Sequence, residues 1–234
     1  NAKNFGFEPS KIQTTITGSS ITTPTASDTS HFHIAIEGNS NAIGVFVRAN
    51  SKTVNTTAIG GGSSTITSTG HGFKTGDKLT YTAGGTALNG LTSGTSYFVK
   101  VVDANTFSLA SDYLNATDST PTLITFGGGN GHAADTFATV YAEAYINDDI
   151  ATPTTASSIG ISAEINQIDD TNAQITILKE SDKNSITIDT VSFGDGSNAE
   201  AFGFKTNQMH LNVLNESIRV QSFTTDYNAS AAVD

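Results

Sequence analysis

Apolar and polar residues alternate with a period of two in several parts of the chain, which is the pattern of half-buried β-strands. The alternation begins at Ile12, Thr14 and Ile16, and it returns in a long run over residues 136–146. Residues 44–49 form another apolar run that follows a turn-forming segment. Each of these segments is therefore predicted to be a strand.

One early segment fits two kinds of secondary structure. In residues 27–39, Phe32, Ala35 and Ile36 share one face of a helix. Phe32, Ile34 and Ile36 also alternate as they would in a strand. The periodicity leaves both structures open.

A helix is predicted over residues 157–168. Ile161, Ile165 and Ile168 stand at positions i, i+4 and i+7, and a serine at the start can cap the first turn. This is the most regular helical pattern in the chain, so we expect the main helix here.

Two hairpins are predicted after this helix. Residues 173–178 and 185–193 form the first, joined by the charged turn 179–184. Residues 209–214 and 217–223 form the second, and the last seven residues look like the beginning of a helix.

The pattern changes between residues 64 and 126, where short apolar segments alternate closely with Gly, Asn and Asp turns. The strands predicted in this part are residues 65–67, 71–73, 77–81, 97–102 and 107–109. Glycine clusters lie on both sides of it, so we expect a small β module inserted into a larger lobe.

The predicted fold is therefore mainly β with one or two short helices, arranged in two lobes. Residues 1–60 and 127–234 form one discontinuous lobe, and residues 61–126 form the second lobe, inserted in the first.

Charge and composition exclude several classes of partner and chemistry. The formal net charge of −11 at pH 7 repels phosphate backbones and anionic head groups, so we expect neither nucleic acid nor membrane partners. The chain has no Cys, which excludes thiolate nucleophiles and Cys-based metal sites. No apolar run approaches the roughly 20 residues that a membrane-spanning helix needs. The sequence begins and ends in mid-pattern, so we expect it to be a piece of a longer protein.

Three segments resemble parts of bacterial flagellins. Residues 216–223 and 228–234 resemble the point where flagellins return from their variable outer region into the C-terminal helix. Residues 28–49 and 158–190 resemble a repeated motif of flagellin outer domains, in which a short helix is followed by two strands. The resemblance implies a solvent-facing domain that projects from a filament whose helical core lies outside this sequence.

The predicted inserted module, residues 61–126, resembles a different group of proteins. Residues 71–77, 90–99 and 103–110 are similar to a mobile β module that recurs in phage tail and fibre proteins and in bacterial surface proteins. This resemblance implies an exposed surface and does not choose between a flagellum and a virion.

Histidines are the candidates for a metal site. If residues 30–36 form a strand, His31 and His33 point to one side, and paired histidines of this kind can bind iron or zinc. An exposed polar face is the favoured interpretation, because no third ligand is evident, so we assign no metal site and keep His31 and His33 only as weak candidates. His71 precedes a glycine in a predicted turn, where we expect a structural role.

Catalytic motifs are missing from the sequence. The acidic clusters at 148–149, 169–170 and 195–198 lack the spacing of an EF-hand loop, so they are predicted to be solvated turns. Neither a Gly-x-Ser-x-Gly elbow nor a phosphate-binding Gly-rich loop occurs. We therefore assign no catalytic residue and no cofactor. Two carboxylates from distant strands could still meet for glycoside cleavage, which sequence leaves open.

The leading expectation is a non-enzymatic structural protein, the outer domain of a flagellar filament subunit outside the bacterial cell. Its expected partners are copies of itself in a helical filament, and the family resemblance implies glycans on exposed Ser or Thr. A phage virion component, such as a tail fibre, decoration or tail-tube protein, is the alternative. A carbohydrate-binding β domain is the third hypothesis, and its groove would be lined by Tyr or Phe because Trp is absent.

Overall fold

The fold is rich in β-structure. The structure is a computed structural model that describes residues 13–26, 31–36, 43–146, 154–180, 186–189, 199–204 and 209–210. Within these residues, most of the regular secondary structure lies in two antiparallel sheets, and one short α-helix is present. This confirms the predicted fold class.

The described elements follow one another along the chain as short strands with few helical turns. The strands are β1 (Gln13–Thr17), β2 (Ile21–Thr22), β3 (His31–Ile36), β4 (Ile43–Val54), β5 (Thr65–Thr67), β6 (Lys78–Thr82), β7 (Ser96–Asp103), β8 (Thr106–Ala110), β9 (Asp135–Ile146), β10 (Thr154–Thr155), β11 (Ile161–Gln167), β12 (Asn172–Glu180), β13 (Ile186–Asp189) and β14 (Met209–His210). Helix α1 spans Tyr113–Thr117, and 3₁₀ turns span Ala156–Ile159 and Ala199–Phe202.

The strands form one large and one small sheet. The small sheet has the order β1-β12-β11, with β2 also paired to β12. The large sheet has ten strands in the order β14-β13-β3-β4-β9-β6-β7-β8-β5, with β10 paired to β9. Its centre is the antiparallel pair β4 and β9, which stays in register from Ile43 opposite Ile146 to Val54 opposite Asp135. We call this pair the spine.

The spine has a hydrophobic core on each face, at opposite ends. Val47 and Ala142 belong to a cluster that packs the spine against the small sheet. Val54 and Phe137 belong to a second cluster, together with residues of the predicted module. Successive side chains of a strand point to opposite faces, and Val47 and Val54 are an odd number of positions apart. The two clusters therefore lie on opposite faces of one sheet.

The predicted module is joined to the rest of the chain by this sheet. Strands β5 to β8 continue the sheet beyond the spine, because β6 pairs with β9 at Thr80 opposite Ala138 and Thr82 opposite Thr136. Residues 61–126 thus have their own hydrophobic cluster but share the backbone hydrogen bonding of the large sheet. The division of the chain into two lobes stays a prediction.

The helix predicted over residues 157–168 is wrong. A short 3₁₀ turn ends at Gly160, whose φ of 75° is left-handed, and strand β11 follows. A spacing of four residues suits both periods, since it is about one helical turn and also two strand repeats. Ile161 and Ile165 are buried on one face of β11, whereas Ile168 is 37% exposed.

The first predicted hairpin is also wrong. Strand β12 pairs with β1 on one edge and with β11 on the other, so neither edge is free for the strand that follows it. That strand, β13, instead pairs with β3 and β14 in the large sheet. The two neighbours in sequence therefore belong to different sheets.

The remaining predictions have mixed outcomes. The periodicity of residues 27–39 fitted both a helix and a strand, and the structure has a strand over His31–Ile36. Residues 71–73, predicted as a strand, form a loop, and α1 was not predicted. Of the second predicted hairpin, only β14 falls in the described part of the chain, and residues 217–223 and the last seven residues lie outside it.

Candidate functional site

A crevice opens where β6 separates from β9. β6 pairs with β9 no further than Ala138, and β10 pairs with β9 only at Tyr145 and Ile146. Between these points, residues 139–144 of β9 have no ladder partner on this edge within the described ranges. The cavity there has a volume of about 500 Å³. We call it the β6–β9 crevice, and its polar lining consists of Asn50, Ser51, Lys74, Asp77, Thr139 and Glu164.

Local hydrogen bonds explain why the two strands separate. The Thr139 hydroxyl donates to the carbonyl of Lys78 at 2.7 Å, so a side chain occupies an acceptor that the ladder would otherwise use. Gly76, with a φ of 92°, donates its N–H to the carbonyl of Val99 at 2.8 Å. The loop before β6 is therefore drawn towards β7 and away from β9.

An ion pair joins the two walls of the crevice. Lys74 Nζ lies 2.7 Å from Glu164 Oε2, which connects the loop before β6 to β11 in the small sheet. The hydrogen bond and the charge of Lys74 lower the pKa of Glu164. Burial raises the pKa of Asp77, although the backbone N–H of Lys74 donates to its carboxylate at 2.7 Å. The two carboxyl groups of the crevice thus have pKa values shifted in opposite directions.

The ion pair is expected to contribute little to stability. The side chain of Lys74 is 60% exposed, so solvent screens its attraction to Glu164. In a double-mutant cycle with Lys74→Ala and Glu164→Ala, we expect a coupling free energy below about 1 kcal/mol that falls further at high salt. The cycle is measured by denaturant unfolding. A coupling of several kcal/mol would show that the pair holds the two sheets together.

A second connection between the sheets uses the acidic turn between β11 and β12. Asp170 Oδ1 accepts the backbone N–H of Tyr113 at 2.7 Å, at the start of α1. The carbonyl of Asp170 accepts Lys78 Nζ at 2.7 Å. The small sheet is therefore bonded to α1 and to β6, both of which belong to residues 61–126.

The carboxylate of Asp169, the residue before Asp170, forms the hydrogen bonds that close the turn between β11 and β12. Asp169 Oδ1 accepts the backbone N–H groups of Thr171 and Asn172, each at 2.8 Å. The side chain of Asn172 and these N–H groups lower the pKa of Asp169 to about 2. This geometry supports the predicted solvated turn. The clusters at 148–149 and 195–198 lie outside the described residues.

The lowered pKa of Asp169 predicts a pH dependence of stability. The charged form stabilises the fold above the ordinary pKa of 3.8, and this contribution is lost as the pH falls towards about 2. In Asp169→Asn, we expect a smaller loss of the free energy of unfolding over this pH range than in the wild type. The control Thr92→Ala, at an exposed position, should keep the wild-type slope. Equal slopes for all three proteins would contradict the prediction.

Two histidines of the described residues are buried, His33 and His71, and their surroundings differ. His33 lies in β3, opposite Gly44, and is 2% exposed. His31 lies in the same strand. Within the described residues, no group of three His, Asp or Glu side chains is arranged to hold a metal ion. The sequence assigned no metal site, and His31 and His33 remain weak candidates only.

His71 has a structural role. Its Nδ1 accepts the backbone N–H of Phe73 at 3.0 Å, so Nε2 is the nitrogen that donates to the carbonyl of Asp103 at 2.9 Å. The ring is buried and packs on Phe73 and Phe107 at centroid distances of 5.3 Å. Both nitrogens are therefore used inside the fold.

Asp135 is the centre of a buried polar cluster at the point where the chain enters and leaves residues 61–126. Its carboxylate accepts hydrogen bonds from Thr56, from Tyr81 Oη at 3.0 Å and from Gly84 N at 2.9 Å. A Cβ at Gly84 would come within 2.5 Å of the carbonyl oxygen of Ala134, so only glycine allows this approach. Burial raises the pKa of Tyr81 to about 12, which keeps its hydroxyl a donor.

Sequence reasoning missed both the crevice and the Asp135 cluster. Their residues come from segments far apart in the chain, and each cluster depends on strand pairings that no local motif reveals. The sequence placed Asp77 only at the start of a predicted strand. No helix in the described part of the chain is long and apolar enough to cross a membrane.

The crevice offers hydrogen-bonding groups of several kinds. It contains two carboxylates, an ammonium group, an amide and three hydroxyls, one of them the phenol of Tyr141. This set suits the binding of a small polar ligand. In comparisons with known proteins, no family model, no curated protein and no solved structure matches this chain.

Proposed function

We propose that this chain is a non-enzymatic structural domain displayed on the outside of a bacterial filament, as the outer region of a flagellin-like subunit. Its role is to form the filament surface and the contacts between neighbouring subunits. The resemblance of the sequence to flagellin outer regions is the starting point of this proposal.

The observation that supports the proposal most is the continuous sheet. One ten-stranded sheet runs through both hydrophobic clusters, and the spine has twelve consecutive residue pairs. The Lys74–Glu164 pair and the Asp170 contacts add bonds between this sheet and the small one. Within the described residues, sheets that are bonded to each other in this way hold their outer surface in a fixed position, as a structural surface requires.

Charge and buried polar groups agree with a structural role. The net charge of −11 makes closely spaced copies repel one another unless specific contacts hold them together. Two of the buried polar groups, His71 and Asp135, form hydrogen bonds that hold strands and loops in place. Their chemistry is therefore used for folding.

The mass in solution tests the proposal against its main alternative. By light scattering after size exclusion, we expect a monomer with a mass close to 24.2 kDa, because a flagellin outer region polymerises through its helical core. A stable trimer would overturn the proposal and favour a phage fibre. In that case His31 and His33 should be tested for bound metal.

A further inference from the structure

We propose that the β6–β9 crevice is a binding site for a neutral saccharide. This goes beyond the structural role, since it assigns a ligand class to one place on the displayed surface. Three properties of the crevice lead to this class: its unused polar atoms, its exposed tyrosine ring and its charge.

The crevice contains polar atoms that the fold does not use. Asn50 donates through Nδ2 to the carbonyl of His71 at 3.2 Å, and no described group donates to its Oδ1. Asp77 accepts the Lys74 N–H on one oxygen, and no described group donates to the other. The hydroxyl of Ser51 also has no partner among the described residues. Two acceptors and a hydroxyl suit the closely spaced hydroxyl groups of a sugar ring.

An exposed aromatic residue lines the same cavity. Tyr141 is 40% exposed, although it is a large apolar side chain in the middle of the spine. Burial and the nearby carboxylate of Glu143 raise the pKa of Tyr141, so its hydroxyl stays protonated and can donate a hydrogen bond. A sugar face can pack on an exposed aromatic ring of this kind.

The charges in the crevice select against other ligands. Asp77 and Glu164 outnumber Lys74, and the whole chain is strongly acidic, so phosphorylated and acidic ligands are repelled. Two carboxylates, one of them paired with Lys74, are too few for a metal site.

Burial argues against an extended peptide in this place. Such a peptide would pair with the unpaired edge of β9 over several residues. Ala142 and Ala144, in the middle of that edge, are only 4% and 3% exposed. The open part of the crevice is therefore compact, which fits a short oligosaccharide better than a strand.

The test is a titration of the isotope-labelled chain, followed by the NMR signals of its backbone amides. The probes are maltotriose, cellotriose, chitotriose and mannotriose, with sialyllactose as an acidic probe. We expect at least one neutral probe to bind with a dissociation constant below about 10 mM and to shift the amides of Asn50, Gly72 and Tyr141. Sialyllactose should bind at least about tenfold more weakly.

Variants decide whether the crevice is the site. Tyr141→Ala removes the ring, and Asp77→Asn changes an acceptor into a donor while an oxygen remains for the Lys74 N–H. Each should weaken binding by at least about tenfold. Leu114→Ala, at an apolar position that is 78% exposed and outside the crevice, should leave it unchanged. Each variant is first checked for a native amide spectrum.

Two results would overturn the proposal: no neutral probe binds at about 10 mM, or binding is the same in all variants. These two results differ from the results that would contradict the proposed structural role. A stable trimer would contradict the filament role with the saccharide site intact. Release of reducing ends from a bound probe would contradict the non-enzymatic role and not the binding site.

Discussion

Replacement of Asp135 by Asn is expected to lower the free energy of unfolding by about 3 kcal/mol. The carboxylate is completely buried and accepts hydrogen bonds from Thr56, Tyr81 and Gly84. In the variant, an NH₂ group faces one of these donors. A buried donor that loses its acceptor has no water to replace it, so its full desolvation cost opposes folding.

The size of this effect also follows from the position of Asp135. Thr56 follows β4, Tyr81 lies in β6 and Asp135 begins β9, so one carboxylate joins three segments of the large sheet. Tyr81→Phe removes a single hydrogen bond to the carboxylate, but it also leaves the N–H of Leu88 without its acceptor. We expect a loss of about 2 kcal/mol from that variant.

Urea unfolding, followed by circular dichroism, measures both changes. The matched control is Asp118→Asn, the same substitution in an exposed turn, where the amide oxygen can still accept the N–H of Thr120 and solvent reaches the new NH₂ group. It should change the free energy of unfolding by less than about 0.5 kcal/mol. If Asp135→Asn were as mild as this control, the buried cluster would not hold the entry and exit of residues 61–126 together.

The second large effect is expected from Phe107→Ala, which should lower the free energy of unfolding by about 4 kcal/mol. Phe107 is fully buried, and its ring packs edge-on against Phe73 and Phe137 at centroid distances of 5.2 and 5.6 Å. The substitution leaves a cavity among aromatic rings that cannot collapse without moving β9, because Phe137 belongs to the spine.

Unfolding of the variant tests how the two clusters are coupled. Because both clusters share the spine, we expect one cooperative transition in which the aromatic signal and the backbone signal change together. Val102→Ala, at a position in β7 that is 57% exposed, should cost less than about 0.5 kcal/mol. Two separate transitions for Phe107→Ala would mean that residues 61–126 unfold as an independent lobe.

Strand prediction from the sequence succeeded where the period was unambiguous. The long alternation over residues 136–146 became β9, and the apolar run at 44–49 lies within β4. The predicted helix failed because Ile161 and Ile165 are four residues apart, a spacing that fits a helix face and a strand face equally well. The pairing of this segment with β12, which lies later in the chain, decides between a helix and a strand.

The candidate sites were less accessible to sequence reasoning than the strands. His71 was predicted to be structural from its turn, and its two hydrogen bonds support that interpretation. The acceptors of the crevice were not predicted, because Asn50 and Asp77 meet only after β4, β6 and β9 have paired. Strand register over long sequence separations therefore creates the site, and no local motif contains that information.

The most direct test of the structural role is to graft residues 1–234 between the two helical core segments of a flagellin and to image the product by electron microscopy. The same flagellin with a short linker in place of its outer region is the control for polymerisation of the core. We predict filaments with additional density outside the core for every subunit. Grafted subunits that fold, remain monomeric and fail to polymerise, while the linker control forms filaments, would contradict a role as a flagellin-like outer domain.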